Sequence, residues 1–210
     1  MNPQLHDPIK DIKWRLFPHG DITQWFAQNP ALYARMGLKG HNGIDIVRRH
    51  GEHLFAVENG IVVEVKDTPE GFGRHIRIVN TARTREWTYG HMHNIAVKLH
   101  QHVKGGQFVG TMGNTGFVVS GNTPFWGNNP YAGTHLHLGL RHIEEGGWSY
   151  NPGGPKIDVL NYGNGYRGAV DFLALYRNPK STSYKIERLA EVRNSGTLAQ
   201  FADLLIGLGY

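Results

Sequence analysis

Between residues 43 and 141, apolar residues come in short runs separated by glycine or polar residues. Ile44, Ile46 and Val47 make one run and Leu54-Phe55-Ala56-Val57 a second. After the turn Glu58-Asn59-Gly60 comes a third, Ile61-Val62-Val63-Glu64-Val65. Beyond Pro69-Glu70-Gly71, the segment His75-Ile76-Arg77-Ile78-Val79 alternates with period two, as a strand does when only one face is buried. Glu86-Trp87-Thr88-Tyr89 follows and ends at His91. These are five or six short strands with no helix between them, the pattern of an antiparallel all-β core. Ile95–Lys98, His102–Gly110 and Met112–Gly116 continue it, with glycines where strands turn sharp corners. His135–Arg141 is the last core strand, and residues 144–168 read as loop. Val170–Tyr176 reads as a short helix or strand.

The two ends have a different pattern. Residues 1–36 read as an N-terminal extension packed on the core through Trp14, Leu16, Phe17, Trp25, Phe26, Leu32 and Tyr33. Within it, Asn29-Pro30 predicts a short helix running to about Met36, because proline suits the first helical position; Gly37 and Gly40 then break it. Residues 179–210 carry Ile186, Leu189, Val192, Leu198, Phe201, Leu204 and Leu205 at helical spacing, which predicts a helical C-terminal tail. The domain between them is residues 37–178. Residues 117–134 form a long loop rich in Gly, Asn, Pro and aromatics directly before a histidine pair, a placement more often functional than merely connecting.

Composition narrows the class. A hydrophobic fraction of 40% with 19% charged residues belongs to a globular chain. The net charge of +5 suits an acidic partner such as nucleic acid, anionic lipid or an anionic wall polymer. No Lys/Arg block or regular aromatic interleaving is present, which argues against nucleic acid. There is no cysteine, so a metal site must be built from histidine and carboxylate. Met1–Lys13 has no apolar signal-peptide core, and no run is long enough to cross a membrane. The expectation is a chain with no stable membrane insertion that stays inside, leaves by lysis or virion assembly, or has lost a leader.

Candidate chemistry lies in the histidines. Of 13, His6, His19, His50, His53, His75, His100, His102 and His142 sit among polar or loop residues and read as surface groups. His135 and His137 differ: they lie two apart on an apolar strand and so share a face. Left unpaired when buried, each would cost about 1–3 kcal/mol, so they need a metal, a proton acceptor or backbone partners. His41 and Asp45 straddle Asn42-Gly43, where a loop lets the imidazole fold back towards the carboxylate. Taken with a histidine from the later pair, they fit a zinc site of two His and one Asp whose fourth position is open, the catalytic rather than the structural arrangement. His91, at a strand end, is a further imidazole able to take a proton or steady a transition state.

The segments Gly40-His41-Asn42-Gly43-Ile44-Asp45, Tyr89-Gly90-His91-Met92, Val103–Gly116 and His135-Leu136-His137-Leu138 together resemble, in order and spacing, the lysostaphin-type (LytM-like) zinc endopeptidases over roughly residues 37–142. The resemblance implies a mostly β fold, a compact antiparallel β-sandwich or barrel-sandwich hybrid (the duplicated hybrid motif). It implies one zinc ion held by His41, Asp45 and His137, with His91 and His135 assisting water activation and stabilising the tetrahedral oxyanion. It further implies hydrolysis of peptide cross-links or stems in bacterial peptidoglycan, at an extracellular, periplasmic or virion-associated cell wall. All five positions are present. The 117–134 loop is longer than the short link usual in the family, and His93 has no family role and is expected at the surface. Two other readings are a catalytically silent wall-binding or activator protein on the same fold, and a carbohydrate- or lipoyl-type β module with incidental histidines.

Overall fold

The computed structural model describes residues 5–17, 20–120, 123–124, 129–149 and 156–176; the expected helical tail and part of the 117–134 loop lie outside the described residues. In chain order the elements are β1 (Ile22–Gln24), α1 (Pro30–Tyr33), β2 (Ile44–Ile46), β3 (His53–Phe55), β4 (Gly60–Lys66) and β5 (His75–Asn80). Next come β6 (Arg85–Gly90), β7 (Met92–Ile95), β8 (His102–Val103), β9 (Phe108–Met112), β10 (Val119–Ser120) and β11 (Thr123–Pro124). Last are β12 (Leu136–Ser149), β13 (Lys156–Val159), β14 (Ala169–Val170) and α2 (Leu173–Tyr176).

The large sheet runs β1-β2-β12-β6-β5-β4-β8, with β13 and β14 also pairing to β12; a smaller sheet runs β3-β9-β7. The pairings between these strands are antiparallel, as the pattern of short alternating runs leads one to expect. The core lies between the sheets. Ile44, Ile46, Ile76, Ile78, Trp87, Tyr89, Leu136 and Leu138 enter it from the large sheet, and Leu54, Met92, Val109 and Met112 from the small one. Period-two geometry then sends the residues between them (Asp45, Arg77, Thr88, His137) to the opposite face of the large sheet. Burying the apolar side of each strand therefore places the polar set together, on the side away from the core.

The N-terminal segment contributes to the same sheet. β1 pairs with β2, Ile22 opposite Ile46 and Gln24 opposite Asp45, and Ile22 and Trp25 are fully buried in the core. The short helix expected after Asn29-Pro30 is present as α1 and is continued by a 3-10 turn, Ala34–Met36. Gly37 ends it at φ 71°, a left-handed conformation that glycine adopts without a Cβ penalty.

Two local readings are corrected. β12 continues past Arg141 to Ser149, where the sequence reads as loop, because Ile143, Trp148 and Ser149 pair with Val159, Ile157 and Lys156 of β13. The segment Glu144-Glu145-Gly146-Gly147 has no apolar alternation of its own, so the partner strand decides its conformation. His75, read as a surface residue, is instead buried at 5% exposure. Its Nδ1 lies 2.7 Å from the Gly73 carbonyl, and its Nε2 lies 2.9 Å from Glu64.

Candidate metal centre

Strand register builds the site. In the β2–β12 pair, Asp45 stands directly opposite His137, and His137 in turn stands opposite Gly90 of β6. Each of the two polar residues lies between inward-facing apolar neighbours (Ile44 and Ile46; Leu136 and Leu138), so the packing that sinks those four side chains turns Asp45 and His137 towards each other. His41 arrives from the loop before β2. Its backbone N–H donates to the Gln28 carbonyl, and its own carbonyl accepts from Ala27 N–H, both with N···O under 3 Å.

Gly43 makes the meeting possible. A Cβ at Gly43 would lie 2.6 Å from both Cε1 and Nε2 of His137, so the imidazole rests on bare backbone. Phe72 packs against the same ring at 4.8 Å between centroids.

The result is a tight triangle. His41 Nε2 lies 2.9 Å from His137 Nδ1 and 3.0 Å from Asp45 Oδ1, while His137 Nδ1 lies 3.1 Å from Asp45 Oδ1. His41 Nδ1 donates its hydrogen to the Trp25 carbonyl at 3.1 Å. A carbonyl can only accept, so the neutral ring presents a lone pair at Nε2. In that neutral form the lone pair faces the Asp45 carboxylate oxygen at 3.0 Å, and His137 Nδ1 stands within 3.1 Å of both atoms. A cation answers all three atoms. Tetrahedral ligands at zinc–nitrogen and zinc–oxygen distances stand about 3.3 Å apart, close to this spacing. These three buried residues are a group that could hold a metal ion. His137 Nε2 is buried without a hydrogen-bond partner among the described residues.

Two more imidazoles face the triangle. His91 Nδ1 donates to the Thr115 carbonyl and His135 Nδ1 to the Gly133 carbonyl, both at 2.7 Å. With Nδ1 so occupied, each ring turns Nε2 to the site; that of His135 lies 3.7 Å from Asp45 Oδ2. The His91 and His135 ring centroids are 4.6 Å apart. His91 holds this place with φ 60° between β6 and β7, a left-handed conformation costing a non-glycine residue roughly 1–2 kcal/mol.

The electrostatics keep Asp45 and His137 in their electron-rich forms. Burial opposes ionisation of Asp45, but the flanking His41, His135 and His137 outweigh it and hold the carboxyl well below its usual range. Burial pulls His137 down to about 4, a shift that Asp45 only partly offsets. Burial, then the neighbouring His135 and His137, also depress His91 well below an ordinary imidazole.

The structure thus brings together all five residues singled out in the sequence. It also supplies elements that sequence reading missed. Trp25, from the N-terminal segment, orients His41 through its carbonyl, and Tyr33 packs on the His41 ring at 5.3 Å. The Thr115 and Gly133 carbonyls orient His91 and His135. Backbone acceptors leave no signature in side-chain type, and the sequence marked Trp25 and Tyr33 only as apolar anchors of the N-terminal segment. The site opens into a cleft of about 1090 Å³ whose walls include Tyr33, Met36, Phe72, Phe117 and Arg167. Glu64, Lys66, Glu70 and Arg77 also line it. His93, exposed on β7, is not among the cleft residues.

The chain is similar in sequence and fold to known proteins. The chain is 33% identical over 93 residues to glycyl-glycine endopeptidase ALE-1 of Staphylococcus capitis, a match covering 43% of this chain and 25% of ALE-1. It is 31% identical over 118 residues to lysostaphin of Staphylococcus simulans, covering 53% and 24%. It is also 28% identical over 139 residues to murein hydrolase activator NlpD of Escherichia coli, covering 66% and 30%. The matched stretch spans about a quarter of the length of these relatives. The structure of the antimicrobial peptidase lysostaphin from Staphylococcus simulans shares the fold with a TM-score of 0.50 at 19% identity, over 73% of this chain and 48% of lysostaphin. The model of peptidase family M23 matches residues 39–152, more than half of the chain and all five site residues, so the chain belongs to peptidase family M23.

Proposed function

We propose that this protein is a zinc-dependent endopeptidase that hydrolyses peptide bonds of bacterial peptidoglycan, in the stem or the cross-bridge, at the cell wall. The observation that carries the proposal is the convergence of His41 Nε2, Asp45 Oδ1 and His137 Nδ1 at 2.9–3.1 Å beside two further imidazoles. Two nitrogens and one carboxylate oxygen, with no thiolate, are a donor set that zinc accepts, and three ligands leave a position for chemistry. Zinc, when bound there, supplies a Lewis acid that polarises a carbonyl and acidifies water at neutral pH. His41, Asp45 and His137 hold it. His91 and His135, anchored through Nδ1, keep Nε2 free to take the proton released on attack and, once protonated, to donate to the oxyanion and leaving amine. A positioned acid–base group of this kind is worth roughly 10²–10⁴-fold in rate. The basic chain, net +5, suits an anionic wall. Among the described residues no helix is long and apolar enough to cross a membrane.

His41→Ala and Asp45→Ala are expected to lose both zinc and hydrolysis of purified walls. His135→Ala is expected to retain zinc and lose hydrolysis. Zinc content by mass spectrometry and a wall-turbidity assay measure both, and an active His135→Ala protein would overturn its assigned role. The similarity to NlpD, named as an activator, favours a second reading, a wall-associated activator without its own turnover. That reading expects wild-type protein loaded with zinc to leave purified walls intact.

A further inference from the structure

Outside the cleft, a cluster of three rings adjoins the site. The His50 ring lies 4.4 Å from that of His93 and 4.9 Å from that of Tyr131, tilted by 60° and 59°. Tyr131 is 63% exposed and His93 is exposed, yet the backbone that presents them is fixed. Buried Asn114 donates through Nδ2 to the Pro130 and Ala132 carbonyls, each at 2.9 Å, gripping the chain on both sides of Tyr131. Tyr131 N–H donates to Asn129 Oδ1 at 3.0 Å, and the Thr134 hydroxyl to the Tyr131 carbonyl at 2.7 Å. The Arg74 guanidinium holds the His93 carbonyl. Gly113 joins the cluster to the site: its carbonyl accepts from His135 N–H at 3.1 Å, and a Cβ on it would meet the backbone of His93 and His91.

A rigid, exposed aromatic beside a reactive site offers contact area at little entropic cost on binding. This cluster contains no carboxylate, lysine or arginine of its own. Arg74 is engaged by Asp67, Arg49 by Glu52 and Arg48 by Asp21, so the neighbouring guanidinium groups are already paired. The cleft, by contrast, is lined by Glu64, Lys66, Glu70, Arg77 and Arg167. A peptidoglycan substrate has two chemistries: peptides carrying carboxylates and amines, and a chain of N-acetylated sugars whose hydroxyl and amide groups are uncharged and whose lactyl carboxyls are capped as amides wherever a stem peptide is attached. The charged cleft suits the first. Ring faces edged by imidazole N–H and phenol O–H suit the second, since a pyranose presents C–H faces to a ring and hydroxyls to its polar edge.

We propose that Tyr131, His50 and His93 form a subsite for the N-acetylated glycan chain, beside the cleft that takes the peptide. The inference rests on the endopeptidase reading for its substrate but is tested separately from it. Uncharged oligomers of an N-acetylated sugar are titrated into wild-type protein, His135→Ala, Tyr131→Ala, Tyr131→Trp and His50→Ala. Wild type, His135→Ala and Tyr131→Trp are expected to bind, whereas Tyr131→Ala and His50→Ala bind about ten-fold more weakly, the loss of one good aromatic contact. In kinetics, Tyr131→Ala is expected to raise KM on glycan-linked peptides with kcat kept, so its preference for glycan-linked over sugar-free cross-linked peptides falls by a similar factor. Wall hydrolysis by wild type without glycan binding overturns the subsite and leaves the endopeptidase reading standing. Glycan binding without hydrolysis does the reverse. Equal losses on glycan-linked and sugar-free substrates, or capture of a second divalent ion at His50 and His93 in place of sugar, also overturn it.

Discussion

Gly43 is held to glycine beside the triangle, because the space its side chain would fill already holds the His137 ring. The glycine between His41 and Asp45 is therefore required by close approach, and its flexibility is secondary. Gly43→Ala is expected to push the imidazole off Asp45 and weaken zinc binding by roughly 10–100-fold, the usual effect of disturbing what orients a ligand. Competition with a chromogenic chelator measures this, and an unchanged circular dichroism spectrum would show that the sheet survives. His91 is the complementary case. It adopts a left-handed conformation that costs stability, and the geometry obtained is an Nδ1 bond to Thr115 with the other nitrogen turned to the site.

Among the elements, β4 and β6 are locked by a buried charge. Glu58, only 5% exposed, accepts from Arg85 Nε and Nη2 at 2.9 and 2.8 Å and from Trp87 Nε1 at 2.6 Å. These contacts tie the turn entering β4 to the start of β6, the strand that leads into His91. Removing one partner strands the other charge in the interior, so Arg85→Ala is expected to destabilise the fold by about 3–5 kcal/mol in urea unfolding. Glu58→Gln, which keeps the shape and loses the charge, should cost less with Arg85 absent than with Arg85 present, a coupling that a double-mutant cycle reads. β1 makes a comparable connection on the other side of the sheet. Through Ile22, Trp25 and the Trp25 carbonyl, it brings residues ahead of the matched family region into contact with His41.

For the whole molecule, one carboxylate on the cleft wall links stability to pH. Burial works against ionisation of Glu64, but the hydrogen bond from His75, the charge of Arg77 and contact with Lys66 prevail and hold it down to about 2, from 4.5. Between those values the unfolded chain binds a proton that the folded chain does not, so stability rises with pH there. The contribution is complete above the unfolded value and lost as pH falls through the folded one. Thermal unfolding is expected to show this as a falling midpoint on acidification across that window. Glu64→Gln should flatten that limb, and an unchanged acid limb would exclude Glu64 as its source. Because Glu64 is partly solvated, the effect is expected to be modest.

How much of this was legible beforehand follows from the range of the forces involved. Period-two alternation in His75–Val79 and the apolar pairs flanking Asp45 and His137 are local, and burial of one strand face determines which residues emerge on the other. The strands and the antiparallel class could therefore be read from the chain, and the five residues that meet at the site through the resemblance of its motifs, in order and spacing, to a known family. What the sequence left undecided depends on partners far away along it. β13 makes a strand of Glu144–Ser149 by pairing, whatever the local pattern. The His75 ring is buried against Glu64, which the β4–β5 register places diagonally across from it, opposite Arg77. The Trp25, Thr115 and Gly133 carbonyls choose which imidazole nitrogen faces the triangle. Every residue carries a carbonyl, so the chain does not mark which ones will serve, and only the register that packs these strands together selects them.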